Sequence, residues 1–81
     1  MKFIFTPKAE EHFTRLSSTM KKRVAAKMRF YADQPNPLEF AERLTGSETY
    51  RFRVGDYRII FGVEIGVLWV LAIKRRDEAY R

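Results

Sequence analysis

The segment from Tyr50 to Phe61 constrains the fold more than any other part of this chain. Apolar and polar residues alternate on both sides of the pair Gly55-Asp56, and such alternation around a two-residue glycine turn predicts a β-hairpin. Residues equidistant from the turn then face each other across the two strands. The predicted pairs are Val54 with Tyr57, Arg53 with Arg58, Phe52 with Ile59, Arg51 with Ile60 and Tyr50 with Phe61.

The pairing separates an apolar face of the hairpin from a basic one, because opposed residues share a face of the sheet. Only a one-residue slip in register would change this division. The apolar face, which we assign to the core, consists of Tyr50, Phe52, Val54, Tyr57, Ile59 and Phe61. The other face carries Arg51, Arg53, Arg58 and Ile60.

Three arginines on one face of a hairpin repel each other, and like charges at cross-strand positions cost about 0.2–1 kcal/mol each. A bound oxyanion reduces that cost, because the guanidinium fork matches the oxygens of a phosphate group. The arrangement therefore predicts a phosphate cradle formed by Arg51, Arg53 and Arg58. The alternative is an ordinary solvated face on which Glu48 or Glu64 provides the counter-charge.

The rest of the chain supplies one strand and two helices before the hairpin and one strand after it. Residues 2–5 alternate as a short strand, Thr6 caps a helix that runs to about Leu16, and residues 17–19 cap a second helix that ends before Pro35. The apolar run 67–73 predicts a strand that is covered on both faces or lies centrally in the sheet. The order β-α-α-β-β-β predicts one α+β domain over residues 1–81, with a twisted, mostly antiparallel four-stranded sheet and a helical hairpin on one face. Core positions outside the hairpin include Phe13, Met20, Met28 and Trp69.

Charge and cysteine content narrow the class of partner and the surroundings. Sixteen Lys and Arg against ten Asp and Glu give a net charge of +6, which favours an anionic partner such as nucleic acid, a membrane surface or an acidic protein. The chain has no cysteine, which excludes a disulfide framework, a thiolate metal site and a Cys nucleophile. Its apolar runs are too short for a signal peptide or a bilayer span, so we expect a soluble, cytoplasmic protein.

Basic residues outside the hairpin extend the predicted anion-binding surface. If the last strand pairs beside the hairpin, the basic segment 74–76 emerges near the arginines, followed by Tyr80, which can stack on a base or donate a hydrogen bond. A second basic cluster lies opposite the apolar stripe of the second helix and is either a solvated face or a non-specific contact to RNA. The predicted RNA-binding residues are Lys21, Lys22, Arg23, Lys27, Arg75 and Arg81.

These residues resemble a known group of proteins. Leu44-Thr45-Gly46, the block Arg-x-Arg-x-Gly-x-Tyr-Arg that ends at Arg58, an apolar strand, and the pattern Lys74-Arg-Arg-x-x-x-Tyr80 are together similar to the RelE/ParE superfamily of type II toxin–antitoxin toxins. The resemblance covers nearly the whole chain, including the two helices and the strand order. It favours the RelE-like branch, because ParE-type members commonly lack the basic residues of the ribonucleases.

RelE-type members cut mRNA in the ribosomal A site with the ribose 2′-OH as the nucleophile. The resemblance implies that Arg51 and Arg53 contact the scissile phosphate and that a basic residue of the last strand, Lys74 or Arg76, serves the leaving group. Fixed cations of this kind would stabilise the dianionic phosphorane. The implied catalytic residues are Arg51, Arg53, Arg58, Lys74, Arg76 and Tyr80.

One position departs from the family pattern, because many relatives carry a histidine where this chain has Arg75. Arginine stabilises charge but stays protonated, so it is a poor general base. The base is then Tyr80, neutral Lys74 or a group of the ribosome. The only histidine, His12, is assigned to the surface or boundary of the first helix rather than to catalysis.

Two other functions are compatible with the same residues. ParE-type members of the superfamily poison DNA gyrase, and a third class would bind nucleic acid or protein without chemistry. The resemblance implies an acidic, partly disordered cognate antitoxin as a partner, beside the ribosome and mRNA. We expect no cofactor, no metal, no small-molecule substrate and no membrane partner.

Overall fold

The computed structural model describes residues 1–44 and 48–76. The strands form a sheet in the order β1-β5-β4-β3-β2, in which β1 is parallel to β5 and the other pairs are antiparallel. In chain order, the elements are β1 (Lys2–Phe5), α1 (Pro7–Thr14), α2 (Ser18–Ala32), a 3-10 turn (Pro37–Phe40), β2 (Glu42–Arg43), β3 (Tyr50–Val54), β4 (Tyr57–Glu64) and β5 (Val67–Arg75).

The predicted α+β fold with a helical hairpin is confirmed, but the predicted number of strands is one too low. The described chain has a fifth strand, because Glu42 and Arg43 pair with Arg51 and Tyr50 at the edge of the sheet. A two-residue strand is too short to show alternation, so the sequence carries no signal for it. The central position predicted for the last strand is confirmed, since β5 lies between β1 and β4.

Both helices begin at a hydroxyl cap. Thr6 Oγ1 accepts the Ala9 N–H at 3.2 Å, and Ser17 Oγ accepts the Met20 N–H at 3.1 Å. The first helix ends at Thr14, two residues before the predicted end, because the next two amide groups bond to carbonyls three residues back and tighten the last turn.

Within the described residues, no helix combines the length and apolar character that a membrane crossing requires.

The core lies between the helices and one face of the sheet, with α1 packed on β5 and α2 on β1 and β3. At its centre, the ring of Tyr31 lies 3.9 Å from that of Phe52, which lies 4.2 Å from that of Phe61, measured between centroids. The apolar face predicted for the hairpin contributes all of its residues to this core. The core assignment of Trp69 is wrong, because this residue is half-buried on the opposite face, paired with Gly62.

The register predicted for the hairpin is confirmed at every pair. Gly55 has a φ of +58° at the first central position of the turn, which a type II′ turn reserves for glycine. A Cβ atom at Gly55 would lie 3.2 Å from Nη1 of Arg23, so this arginine of α2 packs against the turn. The glycine therefore serves both the register of the hairpin and its contact with α2.

The turn between β4 and β5 contains a residue that is poorly suited to its conformation. Ile65 has a φ of +51°, is followed by Gly66 at +70°, and is 94% exposed. Two successive positive φ angles define a type I′ turn, for which Asn-Gly is the preferred pair. A left-handed conformation costs an L-residue about 1–2 kcal/mol, and most of all a β-branched one.

We therefore expect Ile65→Asn to raise the free energy of unfolding by about 1 kcal/mol, which corresponds to an increase in Tm of about 4–8 °C. Thermal unfolding followed by circular dichroism measures this change. Ile65→Val is the control, because valine keeps the β-branch and should leave Tm unchanged. An equal gain in both variants would show that the backbone conformation is not the cause.

Candidate nucleic-acid interface

Three basic side chains lie in register across three adjacent strands, on the face of the sheet that the helices leave open. Arg53 of β3 is opposite Arg58 of β4, and Arg58 is opposite Lys74 of β5. Directly opposed residues of antiparallel strands have Cα atoms only about 4.5–5.5 Å apart. We call Arg53, Arg58 and Lys74 the cationic row. The predicted approach of the last strand to the arginines is thus confirmed at Lys74.

The arginine in the middle of the cationic row is buried. Arg58 is only 2% exposed and is the largest fully buried side chain in the described structure, whereas Arg53 is exposed. A buried guanidinium lies in a medium of lower dielectric constant than water, so it interacts more strongly with a nearby anion. The alternative of an ordinary solvated face does not hold at Arg58.

The arginines enclose a small cavity on the open face. Its volume is about 80 Å³, and we call it the arginine cavity. A water molecule takes about 30 Å³ of liquid volume, so this space suits two or three waters or one tetrahedral oxyanion. The residues that line it are Phe40, Glu42, Arg51, Arg53 and Arg58.

The carboxylate of Glu42, which the sequence does not mark as a site residue, lies beside the arginines at this cavity. Oε2 of Glu42 accepts hydrogen bonds from Nη2 of Arg51 at 2.6 Å and from Nε of Arg51 at 3.0 Å. The hydrogen bond and charge of Arg51 lower the pKa of Glu42, and Arg53 and Arg58 add to the same effect. Within residues 1–44 and 48–76, the carboxylate that pairs with Arg51 is therefore that of Glu42 of β2, and not that of Glu48 or Glu64. The carboxylate of Glu42 thus already neutralises part of the positive charge at the arginine cavity.

The titration of Glu42 provides a test of this electrostatic arrangement. Because the folded-state pKa lies below the ordinary value of 4.5, any stability from the Arg51–Glu42 pair is present above that value and is lost as the pH falls through the lowered pKa. We expect Arg51→Gln to raise the pKa of Glu42 toward 4.5, measured from the NMR shift of its carboxyl carbon. Arg43→Gln, which removes an exposed arginine of the same strand as Glu42, is the control. A Glu42 midpoint that Arg51→Gln leaves in place would contradict the assignment.

The sequence and the fold of this chain both match known toxins. The profile of the family described as "ParE toxin of type II toxin-antitoxin system, parDE" matches residues 3–80. The chain belongs to the ParE toxin family. It is accordingly the toxin of a type II toxin–antitoxin system, and the RelE/ParE resemblance is confirmed. Among curated proteins, none matches the chain significantly.

Solved structures of RelE and ParE toxins share the fold of this ParE-family toxin. The isolated Escherichia coli RelE toxin has a TM-score of 0.78 at 20% identity, over 98% of this chain and 89% of that one. The E. coli RelBE complex gives 0.76 at 19% identity, over 91% and 94%. The chromosomal ParDE system of Pseudomonas aeruginosa gives 0.58 at 16% identity, over 93% and 95%. At these identities, the likeness shows the fold alone.

The toxin places an aromatic ring at the rim of the arginine cavity. Phe40 follows Pro37 in the 3-10 turn, lines the cavity and is 46% exposed. Its ring is held by edge contact with Phe30, at 5.7 Å between centroids, and by Tyr31 at 5.8 Å. Exposed aromatic rings beside basic groups are the usual platforms for unstacked bases. Phe40 carries no signal of this role in the sequence, because only the fold brings it to the arginines.

The other predicted site residues of the toxin lie in several places. Arg75 pairs with Tyr57 on the helix side of the sheet, so the prediction that it joins Lys74 near the arginines is wrong, because successive residues of a strand point to opposite faces. The backbone N–H of Arg76 donates to Asp56 O at 2.7 Å. The basic cluster of α2 lies on the helical layer, and its Arg23 packs against the hairpin turn at Gly55. The predicted RNA-binding members of this cluster are Lys21, Lys22, Arg23 and Lys27. Tyr80, Arg81 and the motif residues Thr45 and Gly46 lie outside the described residues.

His12 of the toxin is a half-buried boundary residue on the helix side of the sheet. Its Nδ1 accepts the backbone N–H of Ile73 at 3.1 Å, so the ring satisfies an amide of β5 beyond the end of β1. In residues 1–44 and 48–76, no three His, Asp or Glu side chains cluster as a metal site would require.

Proposed function

We propose that this toxin is a ribosome-dependent endoribonuclease that cuts mRNA in the A site by attack of the ribose 2′-OH. The observation that carries the proposal is the cationic row, in which a buried arginine lies between an exposed arginine and a lysine on the open face of the sheet. Phe40 adds a platform for a base at the rim of the same cavity. Phosphate groups and unpaired bases are the two features that single-stranded RNA offers to a protein surface.

The chemistry that fits this surface is an internal transesterification. The 2′-oxygen forms a bond to phosphorus, the bond from phosphorus to the 5′-oxygen breaks, and the products are a 2′,3′-cyclic phosphate and a 5′-hydroxyl. Arg58 and Arg53 stabilise the additional negative charge of the phosphorane, which is the largest single contribution in reactions of this type. Lys74, at the end of the cationic row, gives a proton to the departing 5′-oxygen.

The proton of the 2′-OH has to be taken up by a second group. Glu42 lines the arginine cavity, but the lowered pKa of its carboxylate makes it a weaker proton acceptor than an ordinary glutamate. In the proposed reaction, Tyr80 takes that role as its phenolate and becomes the phenol when it accepts the 2′-OH proton, in keeping with its place in the family pattern. Arg76 and Arg51 hold the phosphate backbone on either side of the scissile bond.

The proposed partners follow from the charge of the toxin. The related RelE structures include complexes with a RelB antitoxin, and a chain with a net charge of +6 suits an acidic, partly disordered antitoxin of its own. The ribosome and mRNA are the targets, which places the activity in the cytoplasm.

The proposed function is tested by expressing the toxin from a tightly controlled promoter and mapping RNA 5′ ends across the transcriptome. We expect new ends within translated codons, confined to messages that ribosomes occupy, and their loss when translation initiation is blocked. Growth arrest with intact mRNA would overturn the proposal.

Poisoning of DNA gyrase is the second candidate function, and it is favoured by the match to the ParE family profile over residues 3–80. The same cells distinguish the two functions, because gyrase poisoning produces DNA breaks covalently linked to gyrase and leaves messages uncut. A chain without any toxicity would act only as a binding module.

A further inference from the structure

A second basic cavity lies on the helix side of the sheet, away from the arginine cavity. Its volume is about 480 Å³, and it is bounded by one face of α1 and by the ends of β4 and β5. We call it the end cavity. The residues that shape its chemistry are Lys8, His12, Arg15, Tyr57, Lys74 and Arg75.

The polar side chains of the end cavity are hydrogen-bond donors. Lys8 and Arg15 lie four residues before and three residues after His12, and Arg15 is the C-cap residue of α1, so helical spacing places all three on the same side of this segment. Lysine and arginine have no acceptor atoms. Among its described lining residues there is no carboxylate. A space of this kind favours an anion that accepts several hydrogen bonds at once.

His12 adds one more hydrogen-bond donor to the end cavity, and its contact with β5 determines which ring nitrogen donates. A backbone N–H can only donate, so the bond from Ile73 N–H to Nδ1 at 3.1 Å fixes Nδ1 as the acceptor. The neutral ring then carries its proton on Nε2, which is left as a donor. The fold thus holds the only histidine of the chain in one tautomer at the wall of a basic cavity.

Arg15 forms an ion pair with Glu11, and this pair determines how tightly the end cavity is expected to bind an anion. Its Nη2 lies 2.7 Å from Oε1 of Glu11, and the two side chains are 73% and 60% exposed. Exposed ion pairs of this type within a helix hold their members weakly, so an incoming anion can compete with Glu11 for the guanidinium. The site should therefore bind with modest affinity and strong salt dependence.

We propose that the end cavity is a second phosphate-binding site of this toxin, which holds a phosphate group of the same RNA strand away from the scissile bond. Lys74 lies between the two cavities, because it lines the end cavity and is paired with Arg58, which lines the arginine cavity. In this proposal, an RNA strand that leaves the arginine cavity past Arg58 reaches the end cavity by way of Lys74. This inference rests on the proposed function only for the identity of the anion as RNA.

The ring of His12 provides a direct readout, because its NMR signals are those of the only histidine. The probes are inorganic phosphate and a hexauridylate whose 2′-hydroxyls are methylated, so that cleavage cannot occur. We expect both probes to shift the His12 signals of the full chain in a saturable, salt-dependent way. Lys8→Gln combined with Arg15→Gln should weaken the hexauridylate response at least about tenfold, because two charged donors are lost.

Two control variants separate the end cavity from charge in general and from the arginine cavity. Lys2→Gln combined with Arg43→Gln removes the same charge elsewhere and should leave the His12 response intact. Arg53→Gln should leave the response to inorganic phosphate intact. His12 signals that do not move with either probe, or that respond equally in both double variants, would overturn the inference, as would loss of the phosphate response in Arg53→Gln.

The same data keep this inference apart from the proposed ribonuclease function. If messages stay intact in cells while the His12 response still depends on Lys8 and Arg15, the phosphate site stands and the ribonuclease proposal fails. If messages are cut while His12 responds to neither probe, the ribonuclease proposal stands and the second site fails.

Discussion

Arg53→Gln is expected to reduce the rate of mRNA cleavage on ribosomes by about 100-fold or more, since removal of one group that stabilises developing charge costs about 10²–10³ in rate. The side chain of Arg53 is exposed and lines the arginine cavity, so its charge faces the place where the phosphate is expected. Glutamine keeps polar atoms and most of the length of arginine but removes the positive charge.

The free energy of unfolding should change by no more than about 0.5 kcal/mol in this variant, because Arg53 makes no part of the core. Cleavage by purified toxin on programmed ribosomes and thermal unfolding of the same preparation measure the two quantities. Arg43→Gln is the matched control, because it removes an exposed arginine from β2 at a position that lies outside the arginine cavity. Full cleavage activity in Arg53→Gln would rule out the cationic row as the catalytic surface.

Substitutions of Arg58 should separate its packing from its charge. At 2% exposure, this side chain fills space in the sheet, so Arg58→Ala is expected to lower the free energy of unfolding by about 2–4 kcal/mol, as large-to-small substitutions of buried residues do. The corresponding decrease in Tm is about 10 °C or more for a domain of this size.

Arg58→Met should behave differently, because methionine fills much of the same space without a charge. Replacement of a buried charge by an apolar side chain of similar volume is often neutral or stabilising, and here it also relieves repulsion from Arg53 and Lys74. We expect a free energy of unfolding within about 1 kcal/mol of the parent protein, or above it. Both Arg58 variants should lose cleavage by about 100-fold or more.

The pair of variants is more informative than either alone. Loss of activity in a stable Arg58→Met protein assigns the guanidinium to function. If methionine destabilises the toxin as strongly as alanine does, the guanidinium has a structural role and the functional assignment of Arg58 has to be abandoned. Repulsion among the three arginines, taken alone, predicts no loss of stability in Arg58→Ala, and the burial of Arg58 reverses that expectation.

The parts of the site that could be predicted from the sequence are those set by local pairing. The register of the hairpin follows from the position of Gly55-Asp56, and it places Arg53 opposite Arg58 without any knowledge of the remaining fold. The orientation of Arg75 was equally open to prediction, because a residue next to Lys74 in a strand has to point to the other face.

The parts that could not be predicted depend on contacts between distant segments. Phe40 and Glu42 reach the arginines through a two-residue edge strand that shows no pattern in the sequence. The difference in burial between Arg53 and Arg58 has the same origin. Arg58 lies on β4 and is paired on both sides, with Arg53 of β3 and Lys74 of β5. On the other side of Arg53, β2 pairs only with Tyr50 and Arg51 and does not extend to Arg53. From the hairpin pairing alone, Arg53 and Arg58 would be expected to be equally exposed.

The parallel pairing of β1 with β5 has a consequence for synthesis of the toxin. Phe5 pairs with Val70, so the first strand has no partner until the chain has been translated beyond residue 70. The β3–β4 hairpin can form earlier from neighbouring residues, but pairing between distant segments is slow because a long loop must first close. In a nascent chain, Arg53 and Arg58 can therefore be paired before the five-stranded sheet is complete. Lys74 joins them only when β5 has paired with β4.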